Sequence, residues 1–517
     1  MRTMNDDRPD EPIGDLIGRL AQIDHDLRSP ALKEQLQGID TGRGSALVRG
    51  LLRLGAFLDD SVSNPHLGSV FDRAEASPLN AMLRNVARSY GVAATVAGTG
   101  GTSALNAPAV MALAGEGESI LVGRECHVSV YGGLSLSGAV PHYLVPAFDP
   151  DLGVSLPATP DEVEAELRRY PEIRAAVLTL PTYHGLTGRL DAIVEVCRRR
   201  GVILMIDEAH GPHLHFLASL GFPRAAEDAG ADLITQSTHK LLSAINQASV
   251  AHFNNAALLP RFLECQAMGF QSTSFSYPIL LSLEYAVDQM VHDGEQRWAG
   301  ARQQAERLRD GAAALRGVRV LDDDIVDGVR VAGLDPTRVT LNIRDTGHTG
   351  YQVAEALLAG FGILVELATP DVILFLVSPG VEAAEVDATL EGLGAILAGA
   401  VPVAPTDPFA PPTPPRHVLT PRRAMVEWRR RRIPAADAIG RVSAETIGCY
   451  PPGWPILVAG ERITPEAVTY LRRAAEAGGH LKRGVQEHPF RTIEVIDMPC
   501  TPGDELLPES PGVTLLL

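Results

Sequence analysis

Residues 202–240 read VILMIDEAHGPHLHFLASLGFPRAAEDAGADLITQSTHK and contain two short apolar runs that each end in polar residues. VILMI (202–206) is followed by Asp207, and DLITQ (232–236) is followed by Ser237, His239 and Lys240. Short apolar runs of this kind are typical of strands buried in a parallel sheet. Ligands of such sheets bind beyond the carboxyl ends of the strands. A lysine that follows a strand is usually exposed to solvent. Lys240 could instead place its amine in a buried site.

The same pattern of short apolar runs continues over the surrounding chain, from about residue 92 to about residue 290. Further strands are predicted at 119–123, 139–145, 175–180 and 248–253, and amphipathic helices at 159–170 and 190–200. Strands that alternate with helices form a mostly parallel sheet covered on both faces. We therefore predict an α/β fold.

Changes of pattern divide the chain into five parts. We predict an N-terminal helical segment over 1–90, a large domain over 91–295, a small α/β domain over 296–400, a proline-rich linker over 401–421 and a C-terminal α/β domain over 422–517. The linker contains eight prolines, which disfavour regular structure. Inside the last part, the run Arg429–Arg432 is predicted to be the solvated face of a helix.

Composition narrows the classes of partner. The net charge is −18, from 45 Lys+Arg against 63 Asp+Glu, which disfavours nucleic acid and anionic membranes and is compatible with a cationic small substrate. The five cysteines are scattered without CxxC spacing, so a disulfide framework or zinc site is not expected. The N-terminus lacks an apolar core and no run of 18 apolar residues occurs. We expect a cytoplasmic protein.

Polar residues follow five predicted strands and could converge on one point. One interpretation is a nucleotide hydrolase, because VILMIDEAH (202–210) resembles a Walker B strand and AGTGGTS (97–103) resembles a phosphate loop. A phosphate loop of that kind needs a lysine after its last glycine, to reach the terminal phosphates. The glycine turn here has no lysine, which argues against this interpretation.

The second interpretation is a pyridoxal 5′-phosphate (PLP) enzyme. PLP needs a lysine to bind it covalently, a carboxylate opposite the pyridine nitrogen, a flat group over the ring and a glycine turn at a helix N-terminus for the phosphate. The candidates for these parts are Lys240, Asp207, His127 and the turn Gly101, Thr102 and Ser103. They follow one another in the chain order expected of fold type I enzymes. Taken singly, Asp207 and Thr102 could instead cap helices, and His127 could be a core histidine.

Several motifs together resemble the Orn/Lys/Arg decarboxylase family of fold type I. In the large domain they are GTSALN (101–106), RECHVSV (124–130), PTYHG (181–185), DEAHGPHLHF (207–216), STHKLL (237–242), QAS (247–249) and STSFSY (272–277). LDPTRVTL (334–341) and FLVSPG (375–380) are similar to its small domain, and residues 440–464 to its C-terminal domain. The chain is too short for the receiver-like N-terminal wing domain of long members, so we expect a short-form member.

The resemblance implies a role for each candidate. Lys240 resembles the lysine that binds PLP covalently, Asp207 the partner of the pyridine nitrogen and His127 the imidazole stacked on the ring. The phosphate ligands would be Gly101, Thr102, Ser103, Ser237 and His239. Ala209 would pack beneath the ring and His210 near its substituents. Ser272 or Thr273 would reach the phosphate of a neighbouring subunit, which implies a homodimer or higher oligomer with shared active sites.

The function implied is decarboxylation of arginine, lysine or ornithine to the amine and CO2, as in polyamine biosynthesis. The chain departs from the family at Val128, Ala104 and Ala459 and lacks its usual N-terminal P-G-H-K/Q element. Three different functions therefore stay open. An aminotransferase would need an arginine for the substrate carboxylate, for which Arg330, Arg338 and Arg344 are available. The chain could also be an oxygen-using oxidase or deaminase. The third alternative, a catalytically silent binding subunit, would be expected to have lost Lys240 or Asp207, and both are present.

Three further features are weaker indications of function. His210, His213 and His215 could suggest zinc, but no cysteine or carboxylate pattern supports a metal, and none is predicted. Cys126 next to His127 could suggest a nucleophile and its base, but adjacent residues on an extended segment point apart. Glu461 could be a loop carboxylate or a substrate ligand.

Overall fold

A computed structural model describes residues 78–273, 275–398, 407–450, 453–484 and 490–497. Most of the predicted N-terminal helical segment and part of the predicted linker lie outside these residues.

The strands, in chain order, have the following bounds. They are β1 (Ala94–Gly98), β2 (Ser119–Gly123), β3 (Val140–Leu144), β4 (Phe148–Asp149), β5 (Val154–Ser155), β6 (Ala175–Thr179), β7 (Leu186–Thr187), β8 (Ile203–Asp207), β9 (Leu233–Gln236) and β10 (Ser249–Phe253). They continue with β11 (Arg319–Val320), β12 (Gly333–Leu334), β13 (Arg338–Asn342), β14 (Leu367–Ala368), β15 (Val372–Leu376), β16 (Arg430–Pro434), β17 (Ile447–Tyr450), β18 (Pro455–Leu457), β19 (His480–Lys482) and β20 (Thr492–Ile496).

The α-helices precede or lie between these strands in the chain. They are α1 (Pro78–Ser89), α2 (Ser103–Leu113), α3 (Val128–Ser137), α4 (Pro160–Arg169), α5 (Leu190–Arg200), α6 (Ala226–Ala229), α7 (Thr238–Leu241), α8 (Leu259–Gln266), α9 (Tyr277–Ala313), α10 (Gly350–Phe361), α11 (Ala383–Leu397), α12 (Pro421–Val426) and α13 (Pro465–Glu476). Short 3-10 turns lie at Leu214–Leu220, Ala256–Leu258, Asp323–Ile325 and Arg344–Thr346.

The large sheet has seven strands in the order β1-β10-β9-β8-β6-β2-β3. Every pair from β9 to β3 is parallel, and β10 runs antiparallel between β9 and β1. The prediction of a mostly parallel sheet is confirmed, and each predicted strand of this region overlaps an observed one. Because β8 and β9 are adjacent and parallel, their carboxyl ends bring Asp207 and Ser237 to one edge.

Both faces of this sheet are covered, as the sequence predicted. Side chains alternate along β8, so that Met205 packs with α2, α3 and α8, whereas Ile206 packs with α4 and α5 on the other face. Helix α4 begins with a capping box, in which the Thr159 side chain accepts from the Glu162 backbone and the Glu162 side chain accepts from the Thr159 backbone. Buried apolar layers on both faces fix the sheet on which the site is built.

The small sheet, β11-β13-β15-β14, is antiparallel and packs against α10, α11 and the second half of α9. A two-stranded pair, β7 with β12, joins the large sheet region to this domain, with Leu186 opposite Leu334. This link places the start of β13 beside the loop that follows β6.

The C-terminal region contains the strand pair β16–β20, the sheet β18-β17-β19 and helix α13. The run Arg429–Arg432 is not a helix face, because Arg430, Arg431 and Arg432 lie on β16 and pair with β20. Their charges are balanced by neighbouring carboxylates, such as Glu494 at 3.6 Å from Arg430 and Asp497 at 3.4 Å from Arg431. The prediction was wrong because a run of like charges has no hydrophobic periodicity. Such a run therefore does not distinguish an exposed strand from an exposed helix.

None of the helices among the described residues is both long and apolar enough to cross a membrane.

Candidate active site

A cavity of about 420 Å³ opens beyond the carboxyl ends of β6, β8 and β9. This volume is within the range of small-molecule sites. Ten of the twelve residues predicted for the site line it: Gly101, Thr102, Ser103, His127, Asp207, Ala209, His210, Ser237, His239 and Lys240. Residues far apart in the sequence are therefore brought together by the parallel strands and the turns that follow them.

Asp207 lies at the end of β8, and the residue is 1% exposed. Its Oδ2 accepts from the Asn106 amide at 2.8 Å, and its Oδ1 accepts from the Ala209 backbone at 3.2 Å. The Thr235 hydroxyl donates to Oδ1 of the Asn106 side chain at 2.7 Å. The nitrogen end of that amide therefore faces Asp207. Burial raises the pKa of Asp207, while the nearby Lys240 opposes the shift. A cation bound in the cavity would favour the charged form of this carboxyl group.

Lys240 lies on the short helix α7, which follows β9 directly. Its side chain lines the cavity. Its Nζ is 2.8 Å from Nε2 of His210, and Nη2 of Arg338 is 2.9 Å from Nδ1 of the same ring. Burial lowers the pKa of Lys240, and Arg338 adds to that effect, whereas Asp207 and Glu366 oppose it.

The turn before α2 has the geometry of an anion site. Gly101 has φ +69°, a left-handed conformation that favours glycine, and its N–H donates to the Gln247 carbonyl at 2.9 Å. Thr102 does not cap α2 with its side chain. Its hydroxyl instead forms a hydrogen bond with the hydroxyl of Ser237. Two hydroxyls from different strand ends thus meet at the N-terminus of an eleven-residue helix, where backbone dipoles favour an anion.

His127 lines the cavity from the other side and is the N-terminal cap of α3. Its Nδ1 accepts from the Ser129 backbone at 3.3 Å and lies 2.8 Å from the Ser129 hydroxyl. Burial lowers its pKa to about 4, and the charges of Lys482 and Lys240 add to the shift. The ring is therefore neutral near pH 7, with its plane set by the cap.

Ser272 and Thr273 do not line the cavity of their own chain, and both are exposed. The preceding Gln271 is buried and connects this loop to the glycine turn before α2, since its amide donates to the Thr99 hydroxyl at 2.8 Å and accepts from the Thr99 backbone at 3.2 Å. An assignment of Ser272 or Thr273 to a neighbouring subunit's site stays a prediction.

The structure adds residues that the sequence did not single out. Asn106 belongs to the GTSALN motif, and an amide within an apolar helix was the signal for it. The others line the cavity as well: Glu125, Tyr183 and Gln247 lie in motifs quoted above without a role of their own, and Glu366, Trp454 and Lys482 come from distant parts of the chain. Tyr183 donates to the Glu366 carboxylate at 2.8 Å, so a carboxylate of the small domain lies at the cavity wall.

The three arginines considered for an aminotransferase differ in position. Arg338 is fully buried beside the cavity, where it contacts His210 and donates to the Tyr183 carbonyl at 3.1 Å. Arg330 pairs with Glu162 and Arg344 donates to the Pro150 carbonyl. None of the three lines the cavity, and Arg338 alone contacts a residue that does, His210.

The weaker patterns resolve into structural roles. His213 pairs with Asp335 at 3.1 Å, and His215 pairs with Asp228 at 2.9 Å, so the histidine trio diverges. No group of metal-ligating side chains occurs within the described ranges. Cys126 is fully buried, and burial raises its pKa to about 12, which leaves it a thiol. Glu461 pairs with Arg124 at 2.5 Å in the protein interior.

The family models that match this chain, and two of its curated relatives, are described as decarboxylases of basic amino acids. A family model described as Orn/Lys/Arg decarboxylase, major domain, matches residues 58–385, and one described as Orn/Lys/Arg decarboxylase, C-terminal domain, matches residues 409–482. An arginine decarboxylase from Halalkalibacterium halodurans is 31% identical over 456 residues, which cover 87% of this chain and 89% of that protein. An arginine decarboxylase from Bacillus subtilis is 31% identical over 414 residues, 79% of this chain and 84% of that protein.

Solved structures agree in fold. The constitutive lysine decarboxylase of E. coli has a TM-score of 0.71 and 23% identity, covering 96% of this chain and 80% of that one. An alanine–glyoxylate aminotransferase from Nostoc sp. has a TM-score of 0.51 and 18% identity, covering 65% of this chain and 91% of that one. The predicted fold type I architecture is confirmed.

Proposed function

We propose that this chain, which belongs to the Orn/Lys/Arg decarboxylase family, removes the α-carboxylate of a basic amino acid as CO2 with PLP bound at Lys240. The observation that carries the proposal is that the Lys240 amine and the buried Asp207 carboxylate, from adjacent strand ends, face one cavity. The relatives named as arginine and lysine decarboxylases support the same chemistry.

The residues present fit PLP on chemical grounds. When bound, PLP supplies a carbonyl that bonds to an amine and a pyridine ring that withdraws electrons from the bond being broken. The chain offers an amine at Lys240, a buried carboxylate at Asp207 and an anion site at Gly101, Thr102 and Ser237. Each of the three lies where a strand of the same sheet ends.

Asp207 would hold a proton on the pyridine nitrogen. It is buried and already oriented by Asn106 and the Ala209 backbone, so it needs no rearrangement to meet a cation. A preorganised charge in a water-poor site stabilises charge development more than the same charge does in water. His127 would cover the ring as a neutral imidazole.

The phosphate would lie at the N-terminus of α2. The hydroxyls of Thr102, Ser103 and Ser237 belong to the same region of the cavity wall. Nδ1 of His239 donates to the Ala248 carbonyl at 2.7 Å. This bond does not involve the other ring nitrogen, Nε2. An oligomer in which Ser272 or Thr273 of one chain completes the site of another is part of this proposal.

Glu366 is proposed as the partner of the substrate's distal cation. Its carboxylate lies at the cavity wall, and Tyr183 donates to one of its oxygens. An ammonium or guanidinium forms its strongest hydrogen bonds with a carboxylate. Glu125 is a second wall carboxylate, but burial raises its pKa to about 8, so at neutral pH it favours the uncharged form.

The experiment is to purify the protein with PLP, record its visible absorption and assay arginine, lysine and ornithine for CO2, ammonia and peroxide. We expect a visible band and CO2 with the simple amine, both lost in Lys240→Ala. Lys482→Ala is the matched control, because Lys482 is also a cavity-lining lysine and its loss should leave the band in place. Ammonia or peroxide without CO2 would replace the decarboxylase by a deaminase or an oxidase.

A further inference from the structure

A line of hydrogen bonds runs from Lys240 into the small domain. Nζ of Lys240 lies 2.8 Å from Nε2 of His210, and Nη2 of Arg338 lies 2.9 Å from Nδ1 of the same ring. Arg338 is fixed from its other side, because it donates to the Tyr183 carbonyl at 3.1 Å and lies 3.7 Å from Asp335. The imidazole is therefore held between two basic side chains.

The direction of these bonds follows from the chemistry of the guanidinium group. An arginine has five N–H donors and no acceptor, so Nδ1 of His210 must accept. A neutral imidazole has a single N–H, which must then be on Nε2 and point at Lys240. An imidazolium would place a donor against the guanidinium, and burial together with Lys240 and Arg338 keeps the pKa of His210 well below its usual range.

An N–H at Nε2 can meet Nζ only if Nζ has a lone pair. An ammonium has three donors and no acceptor, so the 2.8 Å contact requires a neutral amine. We propose that Arg338 is a positioning residue that fixes His210 as the Nε2–H tautomer and thereby holds Lys240 as an unprotonated amine before the cofactor binds. The proposal rests on the proposed role of Lys240.

The charge state matters because only the free amine is a nucleophile. A lysine with the ordinary pKa of about 10.4 is unprotonated in about one molecule in 2,500 at pH 7. Each unit by which the pKa falls raises that fraction about tenfold. A relay that favours the amine therefore determines how readily the protein captures its cofactor.

The other charges around Lys240 act in both directions. Asp207 and Glu366 favour the ammonium, while burial and the charge of Arg338 disfavour it. The titratable rings affected by the lysine charge are His127, His210 and His239. Burial is the largest influence on Lys240, so a test of the relay must compare variants that leave the cavity in place.

The test is competitive labelling of the cofactor-free protein with a trace of acetic anhydride over a range of pH. The chain has only three lysines, Lys33, Lys240 and Lys482, so each can be followed as a separate peptide by mass spectrometry. In wild type we expect Lys240 to label with a midpoint below the ordinary lysine pKa of about 10.4. A midpoint at or above that value would overturn the proposal.

Variants separate the relay from burial. Arg338→Met frees Nδ1 of His210 and should raise the Lys240 midpoint by about one pH unit, whereas Arg338→Lys keeps a donor and should restore it in part. Arg330→Met is the control, because Arg330 belongs to the same domain and pairs with Glu162 instead. An unchanged midpoint in a folded Arg338→Met protein would contradict the proposal.

A second measurement covers the case in which Arg338→Met does not fold. Nitrogen-15 spectra of wild-type protein labelled at histidine, with the signal assigned by His210→Gln, report which ring nitrogen carries the proton. We expect a protonated Nε2 and an unprotonated Nδ1, and the reverse would overturn the proposal. Both measurements use cofactor-free protein, so they can fail while decarboxylation is observed, or succeed while it is not.

Discussion

Two pairs of ionisable residues, Arg124 with Glu461 and Asp207 with Lys240, differ in what surrounds them. At the junction of the large domain and the C-terminal region, Arg124 and Glu461 form two hydrogen bonds, of 2.5 and 3.0 Å. Arg124 also donates to the Ile456 carbonyl, and Glu461 accepts from the Val458 backbone. In the cavity, Asp207 and Lys240 are also oriented by hydrogen bonds but face a shared open space.

The difference shows what separates a structural buried charge from a functional one. The Arg124–Glu461 pair is satisfied by protein groups, so it holds two regions together. The carboxylate of Asp207 is aligned by neutral donors, Asn106 and the Ala209 backbone, and no cation of the described residues is hydrogen-bonded to it. Its counter-charge is left for a ligand to provide.

The largest expected effect is on the structural pair. Arg124→Met leaves Glu461 buried without its cation, which should lower the free energy of unfolding by about 3–5 kcal/mol, measured by urea denaturation. The double variant Arg124→Met/Glu461→Met removes both charges and should recover much of that loss. A single variant as stable as wild type would show that the pair does not hold the two regions together.

The next effect is on catalysis. Asp207→Asn keeps the shape of the side chain but removes its charge, so kcat for CO2 release should fall about 100- to 1,000-fold. Stability should change much less than in Arg124→Met, because no buried cation of the described residues depends on Asp207 alone. Steady-state assays and denaturation of the same preparation check both statements, and an unchanged kcat would contradict the role of Asp207.

A smaller effect is expected for substrate recognition. Glu366→Gln removes the charge that would meet the substrate's distal cation, so KM should rise about ten- to hundredfold with a smaller change in kcat. Glu391→Gln, at an exposed position of α11 in the same domain, serves as the control. If KM is unchanged with each of the three basic amino acids, the distal cation is bound elsewhere.

The smallest effect on stability is expected for an ion pair at the surface. Arg168 pairs with Glu164 at 2.8 Å on the exposed face of α4. Water screens the charges of such exposed pairs, so they contribute little to stability, and Arg168→Ala should barely move the urea midpoint. A loss as large as that of Arg124→Met would mean that exposure does not separate the two kinds of pair.

The sequence was informative where function lies next to a strand in the chain. Strand ends β8 and β9 and the turn before α2 could be predicted, because apolar runs, glycine and polar residues follow one another locally. Glu366 and Arg338 could not, since the packing of the small domain on the large one brings Glu366 to the cavity wall and Arg338 to His210. Tyr183 follows β6 directly, so its place at this edge was predictable, whereas its bond to Glu366 was not. Nothing in the order of residues indicates which arginine of TRVTLNIR is fully buried beside His210.

The boundaries of the five predicted parts stay predictions. Helix α9 runs from Tyr277 to Ala313 and thus passes through the boundary proposed at 295. Phe409, inside the proposed linker, packs in the C-terminal core, and its backbone donates to Asp371 of the small domain. A pattern of prolines shows where regular structure is disfavoured, but it does not show whether the segment packs.

The central claim is that Lys240 is the amine that binds PLP. The most direct measurement is to incubate the protein with PLP, reduce it with borohydride and map the added mass on lysine peptides. We predict the mass of one reduced cofactor on the peptide that contains Lys240, and none on those with Lys33 or Lys482. The same mass on another lysine, or on none, would contradict the claim.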